Sequence, residues 1–157
     1  MSLLRVVWGT ATGPTAMSSY DAALAAANVH NYNLVTVSSV IPADVPVEAV
    51  GTAPDLGPAG NRLTVVQARH TSFEGRATAG LGWAESEDGP GLFYESSGDD
   101  GEPAVRRRVA AGLEAGRELR DWAFTGDRFK LATTEAGPGE YATAVVLAAY
   151  GRSEPIC

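Results

Sequence analysis

The sequence predicts an α+β fold: one domain spanning residues 1–157, with two helices covering packed sheets. Three observations carry that expectation. Apolar residues recur at helical spacing in two segments, β-rich runs mark about six strands, and 45% hydrophobic residues in 157 supply enough apolar surface for one core. No internal repeat and no domain boundary interrupts the pattern.

Residues 4–8 are short and β-rich, and a Gly/Thr/Pro run over 9–15 predicts a loop after that strand. The loop lacks the Lys-Ser/Thr pair of a phosphate-binding loop. Met17, Tyr20, Leu24 and Ala27 then fall at helical spacing, with Ser18 a candidate N-cap and Asp21 three residues on. Residues 33–37 read as a strand that runs directly into Ser38 and Ser39. Four prolines and three glycines over 42–60 predict a long irregular loop.

Residues 63–69, 76–84 and 91–96 predict three strands, and the glycines of the second invite close approach by another layer. Pro103, preceded by Asp99, Asp100 and Glu102, marks the first turn of a helix that runs to about Trp122. Its expected buried stripe is Val105, Val109, Leu113, Gly116 and Leu119, with Arg106, Arg107, Arg117 and Arg120 solvated. Residues 129–133 and 141–150 complete the pattern as strands. The last is apolar on both faces, as a strand buried between two layers should be.

Nineteen acidic side chains against twelve basic ones give a net charge of −7. Such a chain should repel nucleic acid and anionic lipid, so neither a nucleic acid nor a membrane is an expected partner. An acidic composition with Lys130 as its single lysine is the one expected in a saline cytosol. Cys157 is the single cysteine, which excludes an intrachain disulfide and a thiolate metal cluster. No run reaches the ~18 apolar residues of a membrane span, and no basic stretch followed by an apolar one opens the chain, so the expectation is a soluble cytoplasmic protein.

Common catalytic constellations fail together. His30 and His70 are the two histidines, and no Gly-x-Ser-x-Gly elbow, Cys-x-x-Cys or His-Glu-x-x-His occurs. A triad hydrolase or a zinc enzyme is not expected, and no metal site is assigned. Both histidines read as surface or capping residues, and Lys130 reads as a solvated lysine at a strand start. What remains is Asn31-Tyr32-Asn33-Leu34-Val35-Thr36-Val37-Ser38-Ser39-Val40-Ile41-Pro42, two adjacent serines among β-branched residues before a Pro-rich loop.

That segment resembles the self-cleavage site of the archaeal-type pyruvoyl-dependent arginine decarboxylases, and further landmarks follow the same order. Tyr20-Asp21-Ala22-Ala23-Leu24 looks like the family's substrate-binding helix, and Asn33 with Ser38 and Ser39 like its processing motif. Gly91-Leu92-Phe93-Tyr94-Glu95 resembles the strand carrying its catalytic glutamate, and Glu118-Leu119-Arg120-Asp121-Trp122 the end of its long helix. The acidic Gly/Pro-rich loop over 43–61 and the Gly137-Pro138-Gly139 turn depart from the family pattern.

The resemblance implies a four-layer αββα sandwich, self-cleaved between Ser38 and Ser39 into a β chain of residues 1–38 and an α chain of 39–157. Ser39 would become a covalent pyruvoyl cofactor. Decarboxylating an amino acid leaves a carbanion at Cα, and an electrophilic carbonyl that forms a Schiff base with the substrate amine can take up its electrons. In the family's logic the Ser39 hydroxyl attacks the Ser38 carbonyl, the resulting ester eliminates, and hydrolysis leaves the pyruvoyl group. The implied reaction converts L-arginine to agmatine and carbon dioxide, toward polyamines, in a homotrimer with active sites between protomers.

Each implied role has a plainer reading beside it. Glu95 is the expected general acid, a role that requires a carboxyl kept protonated by burial, while its sequence context alone suits an edge-strand glutamate. Asn33 would bond the ester intermediate or the substrate, or it caps a strand start. Asp21 would pair with the cationic substrate tail, or it completes a capping box with Ser18. Two alternatives stand alongside: a pyruvoyl decarboxylase of another amino acid, and an uncleaved, non-catalytic regulatory subunit.

Overall fold

The structure, a computed structural model, describes residues 3–157. Two helices and nine strands follow in the order β1 (Leu4–Gly13), α1 (Ala16–Ala26), β2 (Asn33–Thr36), β3 (Val40–Ile41), β4 (Val47–Gly51), β5 (Arg62–Phe73), β6 (Arg76–Ser86), β7 (Gly89–Gly98), α2 (Glu102–Glu118), β8 (Phe124–Glu135) and β9 (Tyr141–Tyr150). The first sheet has the order β2-β5-β9-β1-β4 and the second β3-β7-β6-β8. The fold is α+β, as the sequence predicts.

Three apolar clusters stack the elements into four layers. Val7, Leu63, Val65 and Leu147 on the outer face of the first sheet pack with Ala23, Leu24 and Ala27 of α1. Leu4, Val6, Val66, Leu81, Phe93 and Val146 fill the space between the sheets. On the far face, Ala84 and Leu92 pack against Val105, Val109 and Leu113 of α2. Because α1 packs on one face of β9 and the second sheet on the other, both faces are covered, which explains why 141–150 is apolar apart from the buried Thr143 and the two end tyrosines. No helix among the described residues is long and apolar enough to cross a membrane.

Several boundaries differ from the sequence reading. β1 continues through the expected loop to Gly13, because β9 pairs with it residue by residue as far as Gly13↔Tyr141. Gly9 lets α1 lie directly on that strand, since a Cβ there would run into the Ala23 carbonyl oxygen. The cap of α1 is Thr15, not Ser18: Thr15 Oγ1 accepts from the Ser18 N–H at 3.0 Å, and the Thr15 N–H donates to Ser18 Oγ at 3.1 Å. Asn28 follows the helix at φ 61, a left-handed conformation that asparagine tolerates.

The irregular stretch 42–60 contains β4, a short parallel edge strand on β1 that carries no alternation to betray it. The helix α2 ends at Glu118, so Leu119 is 81% exposed rather than part of the buried stripe, and Gly112 takes the inward place. Asp100 does not simply face the helix end; it holds Arg108 through two hydrogen bonds at 2.7 and 3.0 Å. Arg117 is likewise not free, since it grips both oxygens of Asp127.

The contact at Gly9 gives a test of the packing. Gly9→Ala sets a methyl against backbone that cannot swing away, and should cost about 2–3 kcal/mol in urea unfolding. Gly126→Ala, where nothing lies within 4 Å, should change stability by less than about 0.5 kcal/mol.

Candidate active site

The serine pair sits where the chain changes sheets. β2 runs parallel to β5 from Asn33↔Arg62 to Thr36↔Val65, and the Val37 N–H then donates to the Val65 carbonyl at 3.0 Å. Three residues later Val40 pairs with Leu92 in the second sheet, after the Phe93 N–H has donated to the Ser39 carbonyl at 2.8 Å. The peptide joining Ser38 to Ser39 therefore belongs to neither ladder. Ser38 is exposed and Ser39 half-buried.

Beside the junction lies a cleft of about 380 Å³, lined by Ser38 and Ser39, Leu92 and Tyr94 of β7, and Leu113 and Arg120 from the α2 side. Its walls are mostly apolar, with the Arg120 guanidinium at the rim, where it donates to the Gly116 carbonyl at 2.9 Å and faces the Trp122 ring. Gly112 keeps the cleft in shape, because a Cβ there would overlap the Tyr94 ring.

Glu95 stands two residues beyond Phe93 on β7 and shares its face, so it points between the sheets rather than into this cleft. There it meets the Gln67 backbone N–H. The Val65 carbonyl is taken by Val37, so the N–H of Gln67, two residues on, faces the same edge of β5; β2 has already left that edge. Glu95 is exposed to solvent, yet the atoms packed around its carboxyl push it above the usual carboxylate range, and the Gln67 N–H draws it partly back. The Gln67 side chain accepts from Tyr20 Oη at 2.7 Å, which ties this position to α1.

Asp21 is exposed on α1 and does not line the cleft. With Thr15 as the cap, its carboxylate lies beyond the first turn and no cap uses it. Asn33 gives its Nδ2–H to the Gly60 carbonyl at 2.8 Å. It starts β2, and the five extended residues to Ser38 span roughly 16 Å. The structure thus brings Ser38, Ser39 and Glu95 to one edge, and sets Asp21 and Asn33 apart from it. His70 borders a separate groove between α1 and β5.

Residue 39 suits a pyruvoyl group on three counts. It borders an open cleft, its carbonyl is held by Phe93, and cutting before it removes no sheet hydrogen bond. The one lysine, Lys130, stands over the Trp8 ring at 4.1 Å on β8, at the opposite edge of the second sheet from β3. No lysine amine of the same chain competes there for a carbonyl.

Two neighbours of the site escaped the sequence reading, Gln67 through its backbone N–H and Tyr150, whose Oη donates to the Val40 carbonyl at 2.8 Å. Neither carries a motif, since both depend on contacts between distant strands.

Comparison with known proteins identifies the family. The family described as pyruvoyl-dependent arginine decarboxylase matches residues 3–155. A Halobacterium salinarum protein of that name is 54% identical over 157 residues, covering 99% of this chain and 98% of the relative. Thermococcus sibiricus and Pyrococcus horikoshii proteins of the same name are 35% identical over 130 residues and 34% over 146, covering 80% and 88% of this chain and 79% and 87% of the relatives. With a match that leaves out only two residues at each end, and one relative more than half identical along its length, this chain belongs to the pyruvoyl-dependent arginine decarboxylase family.

Proposed function

We propose that the chain is a self-processing decarboxylase that converts L-arginine to agmatine and carbon dioxide, a step toward polyamines. The observation that carries this reading is the Ser38–Ser39 peptide held from both sides and engaged in neither sheet. In maturation the Ser39 hydroxyl adds to the Ser38 carbonyl carbon, and the peptide nitrogen leaves as the Ser39 amine, giving an ester. Loss of the Ser39 Cα proton with cleavage of its Cβ–O bond leaves Ser38 as a carboxylate ending a chain of 38 residues. Water then displaces the nitrogen at Cα as ammonia, which leaves a pyruvoyl group heading a chain of residues 39–157.

The pyruvoyl carbonyl supplies the electrophile that joins the substrate amine and accepts the electrons released with carbon dioxide. The side chains of this protein do the rest. Glu95 returns a proton to the substrate Cα, a task its raised carboxyl pKa suits. Asp21 pairs with the guanidinium tail, where a carboxylate accepts two parallel N–H bonds. Asn33 fixes the start of β2, and with it the register in which the serines leave the sheet.

The same reading makes the working unit a cytoplasmic homotrimer with its sites between protomers. Two features support sites shared between protomers. Asp21 and Ser39 of one chain do not share a cleft, and Val35, Val37, Val40, Tyr94 and Leu119 expose apolar surface around the serines.

Denaturing mass spectrometry should find two chains, residues 1–38 and 39–157, the second lacking a free N-terminal amine. Ser39→Ala should leave one intact chain. An intact wild-type chain with Ser39 unmodified would overturn the processing and favour a non-catalytic subunit.

Glu95→Gln should still be cleaved while kcat falls at least about 100-fold. The proton donor is the acid form, present below the Glu95 pKa and lost above it, so wild-type kcat should fall as pH rises through that raised value. Rate–pH profiles of the two proteins check both statements.

Asp21→Ala should raise the KM for arginine about 10- to 100-fold, the loss of a charge-assisted hydrogen-bonded pair, with a smaller change in kcat. Carbon dioxide release from arginine, lysine, ornithine and aspartate identifies the preferred amino acid. Unchanged arginine affinity in the variant would remove Asp21 from the site.

A further inference from the structure

We propose that Tyr150 is a positioning residue for position 39, gripping the new chain end from the open side of β3 once the chain has been cut. The proposal rests on the self-cleavage reading above.

Two residues make β3 a marginal edge strand, with a single neighbour, β7. On that inner side the Phe93 N–H holds the Ser39 carbonyl at 2.8 Å. The Val40 carbonyl, one residue on, points the other way, off the edge of the sheet. It would be an open acceptor, but Tyr150 Oη, from the end of β9 in the other sheet, donates to it at 2.8 Å. The Tyr150 ring stands edge-on to Phe93, with centroids 6.3 Å apart, so the two residues that grip positions 39 and 40 from opposite sides also brace each other. Burial pushes the Tyr150 hydroxyl up to about 12, which keeps it a donor throughout the working pH range.

Before cleavage, residue 39 is tethered upstream as well, through the Val37 N–H on Val65. The cut removes that tether. What then fixes the orientation of residue 39 is Phe93, the short pairing of Val40 and Ile41, the buried Ile41 side chain, and Tyr150. A residue with this task matters little to the uncut chain and much to the cut one.

Tyr150→Phe removes the donor and keeps the ring, while Tyr141→Phe, at the other end of β9, serves as control. In Tyr150→Phe, processing followed by denaturing mass spectrometry should stay within about threefold of wild type. Per processed chain, kcat should fall about tenfold, equivalent to about 1.4 kcal/mol, with the KM for arginine unchanged. Hydrogen–deuterium exchange at residues 40–41 should quicken at least tenfold in the cleaved variant but not in the uncleaved Ser39→Ala/Tyr150→Phe chain. A cleaved Tyr150→Phe enzyme with wild-type kcat and wild-type exchange overturns the proposal. Should that variant not fold, cleaved wild type is compared with uncleaved Ser39→Ala: equally slow exchange at 40–41 supports the grip, and a tenfold quickening on cleavage overturns it. Failure of the wild-type chain to cleave would overturn both this proposal and the processing reading beneath it, whereas the other failures touch Tyr150 alone.

Discussion

The hydrogen bonds on either side of the serine pair set the terms for the rest of the molecule. Val37 is fixed to the first sheet and Ser39 to the second. Facing sheets stand about 10 Å apart, and the three steps from Val37 to Val40 reach at most about 11 Å. With Val37 bound on one side and the Ser39 carbonyl on the other, the peptide between Ser38 and Ser39 joins neither ladder and stays open to attack by a neighbouring hydroxyl. The early exit of β2 also leaves the outer edge of β5 bare from Gln67 onward, and the same exit makes room for the Glu95 carboxyl.

The two carboxylates of the proposed site are kept different by where they stand. Glu95 points between the sheets, where burial raises its pKa against the pull of the Gln67 N–H. Asp21 lies open on a helix, committed to no cap. A proton donor gains from a carboxyl raised in this way, and a cation binder from one left free to pair. They are nevertheless linked, because Tyr20, the residue before Asp21, holds the Gln67 side chain while the Gln67 backbone faces Glu95. The helix that offers the anion is thereby registered against the strand edge that receives the acid.

Much of the architecture was legible where one physical signal dominated. The nearly unbroken apolar run at 141–150 gave β9 to the residue, because a strand covered on both faces shows no alternation to blur its ends. Pro103 and the inward Val105, Val109 and Leu113 located α2. Legibility failed where pairing rather than side chains decides: β1 extends over a Gly/Thr/Pro run because β9 pairs with it that far, β4 exists because β1 offers an edge, and β3 is two residues long. The site divides similarly. Ser38, Ser39, Glu95, Asp21 and Asn33 stood out through an ordered resemblance, whereas Gln67 and Tyr150 act through a backbone N–H and a contact between sheets, neither of which leaves a pattern in sequence.

Severing the chain at the crossing need not dismantle the fold, for reasons visible in the topology. The first 38 residues supply β1, which lies inside the first sheet between β9 and β4, and which pairs with β9 over its full length. Leu4, Val6 and Val7 on that strand are fully buried, and each such side chain contributes roughly 1.5–3 kcal/mol by leaving water. The helix α1 adds Ala23, Leu24 and Ala27 to the outer cluster, and β2 adds its parallel ladder on β5. None of these contacts runs through the Ser38–Ser39 peptide. Residues 3–38 are thus built into the sandwich through a central strand and a covering helix, not appended as a peripheral tail. A break at that point can therefore change the chemistry of residue 39 while the scaffold on both sides stays in place.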